Sequence, residues 1–422
     1  MLQIQTLREQ KELVLAGLAK KNFAQPELVD QILATDEKRR STQQQLDGNL
    51  AQANTLAKEI GEKMKTGQKA EAETLKSETV SLKEQSKLLE ESLRTLETEQ
   101  HNMLVQLPNL PHASVPLGKT PEENEVVLQH GDIPTLHEGA QPHWELATKY
   151  DLIDFELGNK IAGAGFPVYK GKGARLQRAL INFFLDEALK QGYHEIQPPI
   201  VVNEESGYGT GQLPDKEGQM YYIGLDNLYL IPTAEVPITN LYRDVIVKEE
   251  DFPIRNVGYT PCFRREAGSY GAHVRGLNRL HQFDKVEIVQ IAHPEKSYEI
   301  LEQMSSYVQS LLQKLGLPYR VLRLCGGDMS FGSALTYDME VYSTAQQRWL
   351  EVSSVSNFET FQSNRLKLRF KTEGKMQLAH TLNGSALALP RIVASLLENN
   401  QTLEGINMPE VLHSYLGFDR IK

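Results

Sequence analysis

Apolar residues in the first hundred positions fall into two runs with a heptad rhythm. Leu46, Leu50, Ala53, Ala57, Ile60 and Met64 step by 4, 3, 4, 3 and 4 residues, and Leu75, Thr79, Leu82, Ser86, Leu89, Leu93, Leu96, Gln100 and Met103 repeat that alternation. Such spacing places each run on one stripe of a helix, the seam along which two helices pack. Between the runs lies the polar stretch Lys65-Thr66-Gly67-Gln68-Lys69, whose glycine can take positive φ. The pattern predicts one antiparallel coiled-coil hairpin, with helices of about 36 residues that reach roughly 54 Å at 1.5 Å per residue. A parallel dimerisation stalk would have the same composition, but it has no use for a glycine break.

Six prolines between residues 107 and 142 predict a linker and irregular lead-in strand rather than helix. From His143 the periodicity alternates between 3.6 and 2. Residues 174–192 read as an amphipathic helix stopped by Gly192. Residues 256–266 and 280–291 read as strands around a glycine-rich loop, 294–316 as a helix, 337–358 as two strands, and 382–401 as a strand turning into a helix. The segment Arg365-Leu366-Lys367-Leu368-Arg369-Phe370-Lys371 reads as a half-exposed strand with a basic face. The fold class expected is α+β: a helical arm over 1–106, a proline-rich lead-in over 107–142, and over 143–422 a largely antiparallel sheet flanked by helices.

Composition narrows the partners. The net charge of −10 excludes a polycation that coats nucleic acid, and residues 1–105 carry 15 basic and 17 acidic residues, so an arm that touches RNA does so through patches. Two cysteines, Cys262 and Cys325, stand far apart with no CxxC, which argues against a disulfide framework and a cysteine-rich zinc site. Charges within the first dozen residues and the lack of any apolar run of about 18 argue against a signal peptide and a membrane span. A cytoplasmic protein is expected.

Four constellations could carry chemistry. Arg264 and Glu266, two apart on a strand, share one face: an arginine that can grip a phosphate and a carboxylate that can accept from an amino group. Arg265 lies between them, and His273, Arg275 and Arg279 add cations beyond. Glu351-Val352-Ser353-Ser354 offers a carboxylate and hydroxyls suited to Mg²⁺ on a polyphosphate. Asn383-Gly384-Ser385 leads through small residues to Pro390-Arg391, and Thr233-Ala234-Glu235 forms a polar loop between prolines. Singly, each fits ordinary ion pairs or polar strand faces. No Walker loop, HExxH, GxSxG or GxGxxG occurs.

Taken in order, the arm, Thr-Ala-Glu, Phe-Arg-Arg-Glu, His281-Gln282-Phe283-Asp284-Lys285-Val286-Glu287, Glu-Val-Ser-Ser and Asn-Gly-Ser to Pro-Arg resemble the class II aminoacyl-tRNA synthetases, and among them the bacterial-type seryl-tRNA synthetases. The resemblance spans essentially the whole chain. It implies that Arg264, Glu266 and Arg391 serve catalysis, Arg264 on the ATP α-phosphate, Glu266 on the adenine amino group and Arg391 on the γ-phosphate. Arg265, Arg279, Phe283 (stacked on adenine), Val352 and Ser353 join the nucleotide site, and Glu351 and Ser354 hold Mg²⁺. Thr233, Ala234, Glu235, Glu287, Asn383 and Ser385 bind L-serine. It further implies a homodimer built near Pro198-Pro199, tRNA(Ser) as partner through the arm, and tRNA(Sec) as a second substrate that the family allows. Two rivals are a ligase that loads a carrier protein and a non-catalytic coiled-coil scaffold or RNA-binding paralogue. The arm argues against the first, and the intact Arg264, Glu266, Glu351 and Arg391 argue against the second.

Overall fold

The computed structural model describes residues 1–215, 218–265 and 275–422, and divides into two compact units, Met1–Pro108 and Asn109–Lys422.

In the first unit, α1 (Ile4–Glu9) and α2 (Lys11–Lys20) precede the hairpin of α3 (Leu28–Lys65) and α4 (Lys69–Leu104). Gly67 turns the chain with φ +79°. Along α4 all nine expected seam positions are buried or half-buried, whereas Val80 and Leu88, off the seam, are exposed. The α3 seam is displaced. Leu46, Ala53 and Ile60 face the partner helix, but the positions between them are Asn49, Leu56 and Lys63, and Leu50 and Met64 stand 45% and 46% exposed. Steps of 4-3 and 3-4 from Leu46 are both heptad rhythms. The second buries the Leu56 side chain in place of the Ala57 methyl, and the larger apolar area decides. The polar seam residue Gln100 has a partner: its Nε2 donates to the fully buried Asp36 at 3.1 Å. Arg8, Arg39 and Arg40 lie 3.2, 3.3 and 3.1 Å from the same carboxylate. Burial alone would raise the Asp36 carboxyl, but the Gln100 hydrogen bond and the arginine charges outweigh it and hold it below its usual range. A polar pair at one seam level fixes helix register.

The second unit is built on an eight-stranded sheet. Its strands are β1 (Glu125–His130), β2 (His194–Glu195), β3 (Ile254–Phe263), β4 (Gln282–Ala292), β5 (Tyr319–Arg323), β6 (Leu335–Ser343), β7 (Arg348–Asn357) and β8 (His380–Ala388). They lie in the order β1-β5-β6-β7-β8-β4-β3-β2, antiparallel throughout except the β3–β2 pair. The helices used below are α5 (His143–Lys149), α6 (Gly171–Lys190), α7 (Glu235–Asn240), α8 (Ser297–Lys314), α9 (Thr360–Leu366) and α10 (Leu389–Asn399). Leu180 and Phe184 of α6, Leu311 of α8 and Leu396 of α10 pack with Val286, Ile288, Met339, Val341 and Val355 of the strands in one core. Because strand side chains alternate, the residues between these, among them Glu287, Ser354 and Ser356, face the other way. The sheet therefore has one apolar face sealed by helices and one polar face.

Within the proline-rich stretch, residues from Asn109 onward belong to the second unit. The Asn109 side chain donates to the carbonyls of Gly332 and Phe358, and β1 pairs with β5 at the sheet edge around a bulge at Val127. Residues 365–371 depart from the strand expected there. Residues 360–366 are helix α9, and the strand is only Arg369–Thr372. Arg365 is 7% exposed, stacks on Tyr208 and donates to the carbonyls of Tyr208 and Leu213, so it is a packing residue and not part of a basic surface. No helix among the described residues is long and apolar enough to cross a membrane.

Candidate active site

The polar face gathers most of the residues singled out by the sequence. Strand β3 ends at Phe263, opposite Gln282, so the next residue leaves the ladder beside β4. The Arg264 amide donates to the His281 carbonyl at 2.9 Å, its Nε donates to the Pro232 carbonyl at 3.4 Å, and its guanidinium lies over the Phe283 ring, 5.2 Å from the centroid. Arg264 thus links the Phe283 ring to the segment just before Thr233. Arg265 points elsewhere, donating to the Met220 carbonyl at 3.1 Å and stacking over Tyr221 at 4.8 Å. Glu266 and His273 lie outside the described residues. Beyond them, Arg275 stacks over Trp144 at 5.0 Å and Arg279 is exposed.

Next to Arg264 is a buried polar cluster with two carboxylates. Lys285, 6% exposed, lies 2.6 Å from the Glu287 carboxylate and donates to the Thr233 hydroxyl at 2.8 Å. Glu235, at the start of α7, accepts from Gln362 Nε2 at 2.7 Å, and Gln362 in turn accepts from the Thr381 hydroxyl. Burial, reinforced by the Glu287 charge, pushes the Glu235 carboxyl up to about 7. Ser385 stands directly across the ladder from Glu287, and the Nδ2 of Asn383, 7% exposed, has no hydrogen-bond partner among the described residues. Ala234 contributes backbone to this wall, since its methyl packs with Ile238 and Val289. Lys285 and Gln362 were not singled out by the sequence. A lysine beside Asp284 on a strand reads as solvated, and Gln362 lies just ahead of the stretch misread as strand.

The third group lies on β7. In a regular strand Glu351 and Ser354, three apart, would face opposite ways. The β6–β7 register shifts between Met339, opposite Ser353, and Glu340, opposite Glu351, leaving Val352 as the extra residue of a bulge. Val352 turns into the core, and the Ser353 hydroxyl donates to the Ser385 carbonyl at 2.6 Å. Glu351 and Ser354 are left to line one cavity of about 530 Å³ with Ser356, Thr336, Asp338 and Glu340. Asp338, across the ladder from Ser354 and hydrogen-bonded to it, keeps a buried Oδ1 without a hydrogen-bond partner among the described residues. Burial and then the Glu351 charge hold its carboxyl well above the usual range. Arg391, in the first turn of α10, donates to the Glu351 carbonyl at 2.6 Å, lies 3.5 Å from its carboxylate, and donates from Nε to the Asn278 carbonyl at 3.1 Å.

An antiparallel sheet with α6, α8 and α10 packed on one face and these carboxylates gathered on the other is the core of a class II aminoacyl-tRNA synthetase. Residues 223–400 match the family "tRNA synthetase class II core domain (G, H, P, S and T)", and residues 1–111 match "Seryl-tRNA synthetase N-terminal domain". The serine–tRNA ligase of Salinibacter ruber is 51% identical over 100% of this chain and 99% of its own, and that of Chlorobium phaeobacteroides is 46% identical over 100% of both. Among solved structures, seryl-tRNA synthetase of Pyrococcus horikoshii complexed with ATP superposes with a TM-score of 0.94 at 32% identity, covering 100% of this chain and 99% of that one. The cytoplasmic enzyme of Naegleria fowleri in complex with AMP gives 0.90 at 27%, with the same coverage. The chain belongs to the seryl-tRNA synthetase family, whose enzymes activate serine with ATP and load it onto tRNA.

Proposed function

We propose that L-serine sits in the pocket between Thr233, Glu235, Glu287, Asn383 and Ser385, with ATP between Phe283 and Arg391. The reading rests chiefly on one observation: two buried carboxylates, Glu235 and Glu287, lie close enough to act on each other's charge, with Arg264 beside them. An amino acid brings an ammonium and a carboxylate, and serine adds a hydroxyl. Glu235 matches the ammonium, Glu287 and Ser385 match the hydroxyl, and Lys285 holds Glu287 and Thr233 in place. Alanine would leave those buried groups unpaired, which in comparable sites rejects the analogue by roughly 10⁴–10⁵-fold.

In the first step a serine carboxylate oxygen attacks the α-phosphorus, the bond to the bridging oxygen of the β-phosphate breaks, and pyrophosphate leaves. In the second, the terminal ribose hydroxyl of tRNA attacks the seryl carbonyl and AMP leaves. Both nucleophiles belong to substrates, so the protein's part is positioning and charge stabilisation. Arg264 faces the α-phosphate, Glu266 receives the adenine amino group, Arg391 and Arg279 meet the outer phosphates, and Arg265 braces the loop through Met220. The oxygen donors of Glu351 and Ser354, with the unsatisfied Asp338 behind them, fit Mg²⁺. When bound, that ion supplies charge neutralisation of the phosphates.

The arm is assigned to tRNA(Ser), with tRNA(Sec) as a further substrate. The supporting features are a hairpin of 38- and 36-residue helices and its mixed charge, suited to tracking an RNA backbone by shape. A homodimer is proposed at α6 and β2, where Gln177, Ile181, Leu185 and Ile196 line a groove of about 470 Å³. Cytoplasmic placement follows from the reaction's substrates.

Two outcomes test the serine pocket. Glu287→Ala should raise KM for serine by roughly a hundredfold, the effect of a lost charged hydrogen bond, while KM for ATP stays within about twofold. Equal losses in both would refute the assignment. Because the Glu235 carboxyl is raised to about 7, it must lose a proton to receive the serine ammonium. Serine KM should therefore fall as pH rises from 6 to 8, and the slope should vanish in Glu235→Gln. A slope that survives this substitution would place the titration elsewhere.

A further inference from the structure

A second polar cluster lies outside the pocket and is fully enclosed. His143, the first residue of α5, and Glu398, near the end of α10, are both 0% exposed. His143 Nδ1 is 2.6 Å from Glu398 Oε1, and the His143 amide donates to the same oxygen at 2.9 Å. The other ring nitrogen, Nε2, accepts from the Leu277 amide at 2.8 Å. With Nε2 accepting, Nδ1 is the nitrogen that donates to Glu398. Ser343 and Gln346, from the β6–β7 hairpin, also donate to Glu398, Gln346 at 2.9 Å. Burial alone would raise the Glu398 carboxyl, but the donors from His143 and Ser343 outweigh it and hold it below the ordinary range. Gln346 pairs with the side chain of Asn278 at 3.0 Å.

Two branches, through His143 and through Gln346, end on the segment 276–278. Gly276 has φ +67°, and a Cβ there would stand 2.3 Å from His143 Nε2, so this turn is shaped around the imidazole. The next carbonyl but one, that of Asn278, receives Arg391 Nε at 3.1 Å. Arg391 lies in the first turn of α10, the helix that carries Glu398 near its other end. One buried carboxylate therefore ties both the arginine's own helix and the backbone that aims its guanidinium.

We propose that His143, anchored by Glu398, is a positioning residue for nucleotide binding: its Nε2 holds the Leu277 amide and thereby sets the Asn278 carbonyl that orients Arg391. The inference rests on Arg391 meeting the outer phosphates of ATP. Three variants of the full-length enzyme separate the bonds involved. His143→Asn keeps a donor toward Glu398 but cannot reach Leu277. His143→Gln places an acceptor where Nε2 stood and gives up the donor. His143→Ala loses both.

In serine-dependent ATP–pyrophosphate exchange, His143→Asn and His143→Ala should raise KM for ATP about tenfold, as expected for one lost hydrogen bond in an oriented site, with serine KM within about twofold. His143→Gln should recover most of that loss. A merely structural role would favour Asn over Gln, or would move both substrates' constants together. Wild-type ATP KM in His143→Asn beside a crippled Arg391→Ala would overturn this inference alone. Unchanged ATP KM in Arg391→Ala would overturn the role of Arg391 and the inference with it.

Discussion

Arg264→Ala should lower serine-dependent ATP–pyrophosphate exchange by roughly 10²–10³-fold in kcat, the range seen when one preorganised donor to developing charge is removed. The folded state should be little affected. Among the described residues the half-buried guanidinium donates to one carbonyl, at 3.4 Å, and lies over the face of Phe283, so its removal opens no cavity in the apolar core. Its backbone bond to His281 does not depend on the side chain. Arg264→Lys should recover little, because an ammonium cannot offer two parallel donors to a phosphate. Exchange near the wild-type rate in Arg264→Ala, measured on protein with an unchanged melting curve, would refute its assignment to the α-phosphate.

The second large effect concerns the arm. Removing residues 44–91 and closing the gap with a glycine turn cuts the hairpin at facing positions, since Gln52 meets Glu78 near mid-arm while Asp36 and Gln100 pair below the cut. The catalytic unit has its own core and keeps every residue of the pocket. Amino-acid activation should stay within about twofold. Charging of tRNA(Ser) should fall by roughly a hundredfold or more, because phosphate and shape contacts along an RNA helix supply most of the affinity of such an arm. Aminoacylation of tRNA(Ser) at the wild-type rate by the shortened enzyme would contradict this division of labour.

The hairpin was legible because a heptad is a long, redundant signal. Even so, the α3 stripe slipped, since both heptad phases pass through Leu46, Ala53 and Ile60 and only the bulk of Leu56 separates them. The sheet strands were legible from alternation, and their one-sided burial follows from it. Bulges were not. Glu351 and Ser354 share a face only because Val352 is an extra residue, a property of the pairing with β6 that no reading of β7 alone contains. The i, i+2 spacing puts Lys285 on the Glu287 face, but its bond to Thr233 comes from a distant loop and carries no sequence signal. A basic run gives no hint that carbonyls of residues 208 and 213 enclose Arg365. In each case the missing information is tertiary: which segments meet, and in what register.

The most direct measurement is ATP–pyrophosphate exchange by the full-length protein across the twenty amino acids, with Mg²⁺ present and after chelation. Exchange with serine alone, abolished by chelation, is the expected result. Exchange driven by another amino acid in preference to serine, or by none from well-folded protein, would contradict the assignment of the Glu235–Glu287 pocket to serine activation.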